Sequence, residues 1–137
     1  MKKLFPQFST PFALDWAFLL LRLGLSILMA RHGYDKFQNL LAGSTDFPDP
    51  LGVGVQLSLG LTVFAEFFCS LLLILGAFTR WALVPLIFCV LVIVFSIHGK
   101  DSIDDKEHGL LYLVGYIVLF LTGAGRYSLD KYIYKGN

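Results

Sequence analysis

Two ionisable side chains stand where lipid is the expected solvent. Arg22 interrupts the apolar run "AFLLLRLGLSILMARHGYDKF", and Glu66 interrupts "FAEFFCSLLLILG". A guanidinium at the centre of a bilayer costs at least about 2.5 kcal/mol unless it finds water or a partner. A buried carboxylate faces the same choice of pairing or taking up a proton. A fixed cation can stabilise an anionic oxygen on a bound molecule, and a carboxyl can give or take a proton. Together they suit acid–base or electrostatic chemistry on a lipophilic substrate.

Both positions belong to stripes at helical spacing. Asp15, Arg22, Ser26 and Gly33 share one face of a first helix, and Ser58, Thr62, Glu66, Cys69 and Ser70 share one face of a second. His108, Tyr112, Gly115 and Tyr116 repeat the pattern near the C-terminus. Polar stripes in membrane helices turn inward. At 1.5 Å per residue, Arg22 lies about 14 Å above the inner start of its span and Glu66 about 16 Å above the inner end of its own. The spacing therefore predicts an Arg22–Glu66 ion pair in the interior, with Tyr112, Tyr116 or Ser26 meeting the remaining donors and acceptors. The alternatives are an Arg22 that snorkels toward the N-terminal side, where helical side chains lean, and a neutral Glu66.

His32, His98 and His108 fall at the outer ends of the first, third and fourth spans, beside Asp101 and Glu107. That placement suits proton transfer or ligand contact at an outer mouth. No two histidines have ligand spacing on one helix, so no metal site is read from them. Asp101, Asp104 and Asp105 lack the spacing and glycine of a calcium loop and read as a solvated connection.

The elements that must position these groups follow from composition. The chain has 137 residues, of which 56% are hydrophobic and 13 are Phe, with a mean hydropathy of +0.70. Apolar runs at roughly 12–30, 53–78, 81–98 and 107–124 are each about the 20 residues a membrane crossing needs. The reading is an all-α polytopic membrane protein: one domain over residues 1–137, an antiparallel bundle of four transmembrane helices. The first helix is expected to continue past the membrane surface to Phe37. Lys2 and Lys3 precede it as in a secretory signal, but "LMARHG" offers no small-x-small cleavage site, so the helix is read as permanent.

The connections agree. "LLAGSTDFPDPLG" is the longest, stiffened by Pro48 and Pro50, and "GAFTR" is a tight turn that makes the second and third helices antiparallel neighbours. Ser102 or Asp104 is placed to cap the last helix, and Gly123 or Gly125 to end it. Lys2, Lys3, Arg80, Arg126, Lys131 and Lys135 fall on one side, against Arg31, Lys36, Lys100 and Lys106 on the other. The excess puts both termini in the cytoplasm. A net charge of +1 gives no sign of nucleic-acid binding. Cys69 and Cys89 lie inside spans and read as small packing residues, with a disulfide between the second and third helices as the alternative.

Several segments resemble the DoxX family of small four-helix bacterial membrane proteins. They are "RLGLSILMARHGYDKF" with His32, Gly33 and Lys36, "DPLG" at the entry to the second span, "FAEFFCSLLLILGAFTRWA", and "KEHGLLYLVGYIVLFLTGAGRYSLD". The resemblance covers nearly the whole chain, carries over Glu66, Glu107, His32, Lys36 and Arg80 as matched positions, and implies the bacterial inner membrane. Some members resemble subunits of membrane redox systems, including thiosulfate to quinone electron transfer and complexes that manage thiol stress, and more distant relatives resemble assembly factors. A family fixes a fold more firmly than a reaction.

The expectation is therefore a membrane redox component, a subunit of a quinone-linked oxidoreductase rather than a complete enzyme. Its interior, lined by Arg22, Glu66, Tyr112 and Tyr116 and opening outward past His32, His98 and His108, would bind a quinone or similar lipophile. Arg22 would stabilise an anionic oxygen, and Glu66 or Glu107 would move protons. Electrons would come from a protein partner, because no dithiol, flavin site or metal is visible. Two other classes stay open: a non-catalytic assembly or anchoring protein with acidic outer loops as its docking surface, and a small-solute carrier, which with four spans would require a homo-oligomer.

Overall fold

The computed structural model describes residues 11–134, with Asp105 described by its backbone alone. Lys2, Lys3 and Lys135, three of the six cations counted for the inner side, lie outside the described residues. Among the described residues every element is helical. Helix α1 is Pro11–Leu41, α2 is Val55–Leu75 and α3 is Thr79–Ile97. Helix α4 is Ile103–Thr122, and a single turn, α5, covers Asp130–Ile133. Three helices, α1, α2 and α3, are long and apolar enough to cross a membrane. Helix α4 has the length, but its first turns carry Asp104, Lys106 and Glu107.

The surface is that of a protein solvated by lipid. Leu20, Trp81 and Leu121 are three-quarters exposed, while Leu59, Leu73, Leu83, Leu86 and Leu119 are fully enclosed among the helices. Apolar side chains exposed around whole helices have no place in water, and in a bilayer they meet acyl chains.

Glycines set the register between helices. A Cβ on Gly33 would sit 2.5 Å from the Phe67 amide nitrogen and 2.6 Å from the Glu66 carbonyl carbon, so α1 and α2 touch backbone to backbone there. Lower down, Gly76 lies against the Arg22 guanidinium carbon and the Ser128 side chain. These contacts run α1 and α2 antiparallel, with Glu66 level with residue 33 and the α2–α3 turn near Arg22. Helix α1, at 31 residues, is about 46 Å long. It overhangs α2 at its own N-terminal end, and at the other end it continues past Phe37 to Leu41.

Helix α2 ends in the way "GAF" implies. Gly76 adopts the left-handed conformation (φ 69°, ψ 31°), its N–H bonds to the Leu73 carbonyl, and the Ala77 N–H bonds to the Leu72 carbonyl. This is a Schellman turn, which satisfies carbonyls that the helix leaves open. Phe78 follows in a left-handed conformation that a non-glycine residue rarely adopts (φ 50°). It is held there by the C-terminal tail, whose Asp130 carboxylate accepts hydrogen bonds from the Phe78 and Thr79 N–H groups at 2.6 and 3.0 Å. The tail also forms backbone bonds from Leu129 and Asp130 N–H to the Leu75 and Gly76 carbonyls. Arg80 completes this end by donating to the Phe120 and Leu121 carbonyls at the C-terminus of α4, where a cation also complements the helix dipole. Gly123, at φ 81° and ψ −171°, terminates α4 in a conformation open mainly to glycine. At the other end of α4, Ser102 stands at the N-cap position.

Candidate functional site

The predicted Arg22–Glu66 pair does not form. Arg22 is 2% exposed, and its guanidinium donates to the Ala124 carbonyl at 2.6 Å and the Tyr127 carbonyl at 2.8 Å. Arg22 leans toward its own N-terminus, as a helical side chain does. It ends in the carbonyls of the tail rather than in water, with Asp130 as the opposing charge. The Ser26 hydroxyl turns back onto the Arg22 carbonyl, so it satisfies backbone and not the ion. The depth argument fails because the first span does not begin level with the others. Glu66 faces residue 33, eleven residues beyond Arg22, a distance of about 16 Å along the helix.

Glu66 is paired with Lys36 instead. The Lys36 ammonium lies 2.7 Å from each carboxylate oxygen, with the Glu66 side chain 3% exposed and that of Lys36 30%. The geometry follows from side-chain lean. Lys36 sits one turn C-terminal to Gly33 and leans back toward it, while Glu66 on the antiparallel helix leans toward its own N-terminus, so the two meet. Gly33 permits this by letting the backbones touch. The Cys89 thiol on α3 lies 3.9 Å from Glu66 Oε1 as a third, weaker donor. Both cysteines are free thiols.

Lys36 brings the ion pair to the edge of a cavity of about 400 Å³ between α2 and α3, with Glu66 set behind it and outside the lining. Lys36 and Cys89 line its floor, Leu61, Phe64 and Phe88 its flank, and Phe47, Pro48, Pro50 and Leu51 of the α1–α2 connection lie over it. Its volume falls within the range of small-molecule sites, which are mostly apolar with a few placed polar groups. Two π-helical turns flank it: Phe64–Cys69 in α2 and Ile93–Ile97 in α3. Such insertions shift side-chain directions and often mark functional sites. Here the first brings Glu66 and Ala65 to the inner side. The Ser58 and Thr62 hydroxyls near the cavity are already occupied, by the Asp49 carboxylate and the Ser58 carbonyl. Lys36, held by Glu66, is thus the lysine or arginine that borders the space.

The other predicted residues divide. Tyr112 and Tyr116 stack on α4 with ring centroids 5.9 Å apart, and Tyr116 is fully buried, with its hydroxyl lacking a hydrogen-bond partner among the described residues. Tyr116 lies near Glu66 and Cys89, so these tyrosines lie on the side of the ion pair rather than around Arg22. His98 is at the rim of the cavity and pairs with Asp101 at 2.6 Å. His32, Glu107 and His108 are exposed and do not line this cavity. Glu107 borders a second, shallower depression on α4 with Ile103 and Asp104. Among the described residues no group of three His, Cys, Asp or Glu could hold a metal.

Sequence reasoning counted Lys36 among the outer-side cations, and as a matched position only through the family resemblance, and it read Cys89 as packing. The signal for Lys36 was present in Gly33, one turn before it, because a glycine inside a membrane helix marks a close approach of two backbones. Asp49 was missed as well. It accepts from the Val53 and Gly54 N–H groups and the Ser58 hydroxyl. Those bonds, led by Ser58, hold its carboxyl below the usual range.

Comparison with known proteins agrees with the fold and adds no activity. A protein of Haemophilus influenzae whose function is uncharacterised is 30% identical over 125 residues, covering 85% of this chain and 83% of the relative. No solved structure matches the chain. The DoxX profile matches residues 17–99, which contain Arg22, the Lys36–Glu66 pair and most of the cavity wall, and the chain belongs to the DoxX family.

Proposed function

We propose that this protein is a four-span protein of the bacterial inner membrane, with both termini in the cytoplasm, that binds a quinone or a similar lipophile between α2 and α3. The observation that carries this reading is an apolar cavity of about 400 Å³ lined at one point by Lys36, whose charge is balanced by Glu66 behind it. Lys36 donates to an oxygen of the head group, and the carboxylate behind it keeps the ammonium in place. Glu66, with Cys89 and the Tyr112–Tyr116 stack behind it, is the group placed to take or return a proton at that oxygen. A quinone would supply the redox chemistry, with electrons delivered by a partner protein. In this arrangement Arg22 belongs to the scaffold, and α4 buries Gly115 and Tyr116 of its polar stripe to complete the bundle.

The test is mass spectrometry of organic extracts from protein purified in mild detergent. Wild type is expected to carry a stoichiometric lipophile that is lost from Lys36→Met and from Glu66→Gln. Ligand-free wild type, or retention unchanged in Lys36→Met, would overturn the reading and favour an assembly or anchoring role.

A further inference from the structure

The cavity has two boundaries of opposite kind. Over its outer side, the Phe47–Leu51 segment is tied down at its centre. The Asp49 carboxylate accepts from Val53 N–H at 3.0 Å, Gly54 N–H at 2.8 Å and the Ser58 hydroxyl at 2.7 Å. The Gln56 amide fastens the segment again through the Ser44 carbonyl at 2.7 Å. Pro48 and Pro50, on either side of Asp49, remove backbone freedom that a moving flap would use. On the flank the cavity is bounded by Leu61, Phe64 and Phe88, which are 50, 51 and 56% exposed. Leu51 of the roof is as exposed, at 52%, but it belongs to the latched connection, whereas Leu61, Phe64 and Phe88 stand on the apolar faces of α2 and α3 that meet lipid.

The floor restricts the head group. Lys36 is already neutralised by two contacts to Glu66. An anionic head group would have to compete with a buried carboxylate for one ammonium and would leave net negative charge in a low-dielectric site. A neutral acceptor needs only a free N–H.

Building on the reading above, we propose that the cavity is filled sideways from the bilayer, through the gap between α2 and α3 and beneath the Asp49-latched roof. Its ligand is a chain-bearing lipid with a neutral hydrogen-bond acceptor as head group, and its chain lies out between Leu61, Phe64 and Phe88.

The experiment uses the full chain in phospholipid vesicles and two labelled probes, a long-chain ubiquinone carried in the bilayer and its chain-free head group added from water, with palmitate as an anionic competitor. Loading of the long-chain probe is expected to slow by about tenfold in Leu61→Trp, which fills the gap, and to quicken in Phe88→Ala, which widens it. Asp49→Ala is expected to leave that rate unchanged and to speed uptake of the chain-free probe. Palmitate is expected not to displace either probe. Equal loading of both probes by wild type overturns the lateral route, as does a long-chain rate that neither gap variant changes. Displacement by palmitate overturns the neutral head group. If wild type and Lys36→Met alike bind neither probe, the quinone-site reading falls together with this inference. Binding that depends on Lys36 but ignores the gap variants overturns the route alone.

Discussion

Replacing Arg22 by Met separates a scaffold cation from a ligand cation. The substitution keeps an apolar stem in the same space and removes two hydrogen bonds, to Ala124 and Tyr127 carbonyls. A hydrogen bond from a charged donor contributes about 1.5–3 kcal/mol, and relief of the buried charge offsets part of the loss, leaving an expected cost of about 3 kcal/mol. The loss should concentrate in the tail, because those two carbonyls precede the segment whose Leu129 and Asp130 N–H groups bond to the end of α2. In hydrogen exchange of the protein in mild detergent, protection of these two amides is expected to fall roughly a hundredfold, the equivalent of that energy. Ligand retention at Lys36 should stay close to wild type. Loss of ligand with the tail still protected would refute the assignment and return Arg22 to the binding site.

The remaining expectations concern the cavity. Gly33→Ala places a Cβ 2.5 Å from the Phe67 amide nitrogen. Ordinary contact needs about 1 Å more, so α1 must move outward and stretch the Lys36–Glu66 contact, and ligand retention should fall although no polar group has been removed; unchanged retention would count against the helix contact as the positioning element. Lys36→Met and Glu66→Gln should each destabilise the protein by about 3–5 kcal/mol in unfolding titrations, and the double variant by less than the sum, because the second change removes the orphaned partner; additive losses would show that the pair contributes little. The Asp49 latch should depend on acid in one direction. Its carboxyl is held below the usual range, chiefly by the Ser58 hydroxyl and then by the Gly54 N–H, so its contribution is complete above the ordinary carboxylate pKa of about 3.9 and is lost as pH falls through the lowered value. The protection factors of the Val53 and Gly54 amides, corrected for intrinsic exchange, should therefore be flat at neutral and weakly acidic pH and fall only below that range; a fall near pH 6 would point to another group.

Much of the architecture was legible because membrane helices announce themselves by length and hydropathy. The runs at 53–78 and 81–98 became α2 and α3 with small shifts at their ends, and "GAFTR" became the turn between them. The inward polar stripe of α2 was also legible: Ser58, Glu66, Cys69 and Ser70 are all buried. What periodicity could not supply was axial register between helices. It shows which face of a helix turns inward, but it contains no information on how far one helix slides along another. The depth estimate placed the inner end of the first span at residue 12, whereas the contact at Gly33 puts the α2–α3 turn near Arg22. The C-terminal tail was invisible for a related reason. Its role depends on carbonyls and on one carboxylate that caps a turn fifty residues away, and neither leaves a pattern in the sequence around it.

The register also explains why the chemistry rests on the lysine. Both interior cations are compensated, but differently. Arg22 donates through its two terminal nitrogens to backbone carbonyls inside a closed junction, with its Nε left unpartnered among the described residues, and it lines neither cavity described here. An always-charged, planar donor suits a permanent junction that must hold several acceptors. Lys36 is compensated by one carboxylate, keeps 30% of its side chain exposed and borders the cavity. A compact ammonium with three rotatable donors can hold that carboxylate and still turn a proton toward a ligand oxygen. Exchanging the two types is therefore informative. Lys36→Arg would retain charge but commit a fixed fork of donors to Glu66, and ligand retention should drop with little change in stability. Retention equal to wild type would mean that charge alone suffices and that the third donor of Lys36 does not hold the head group.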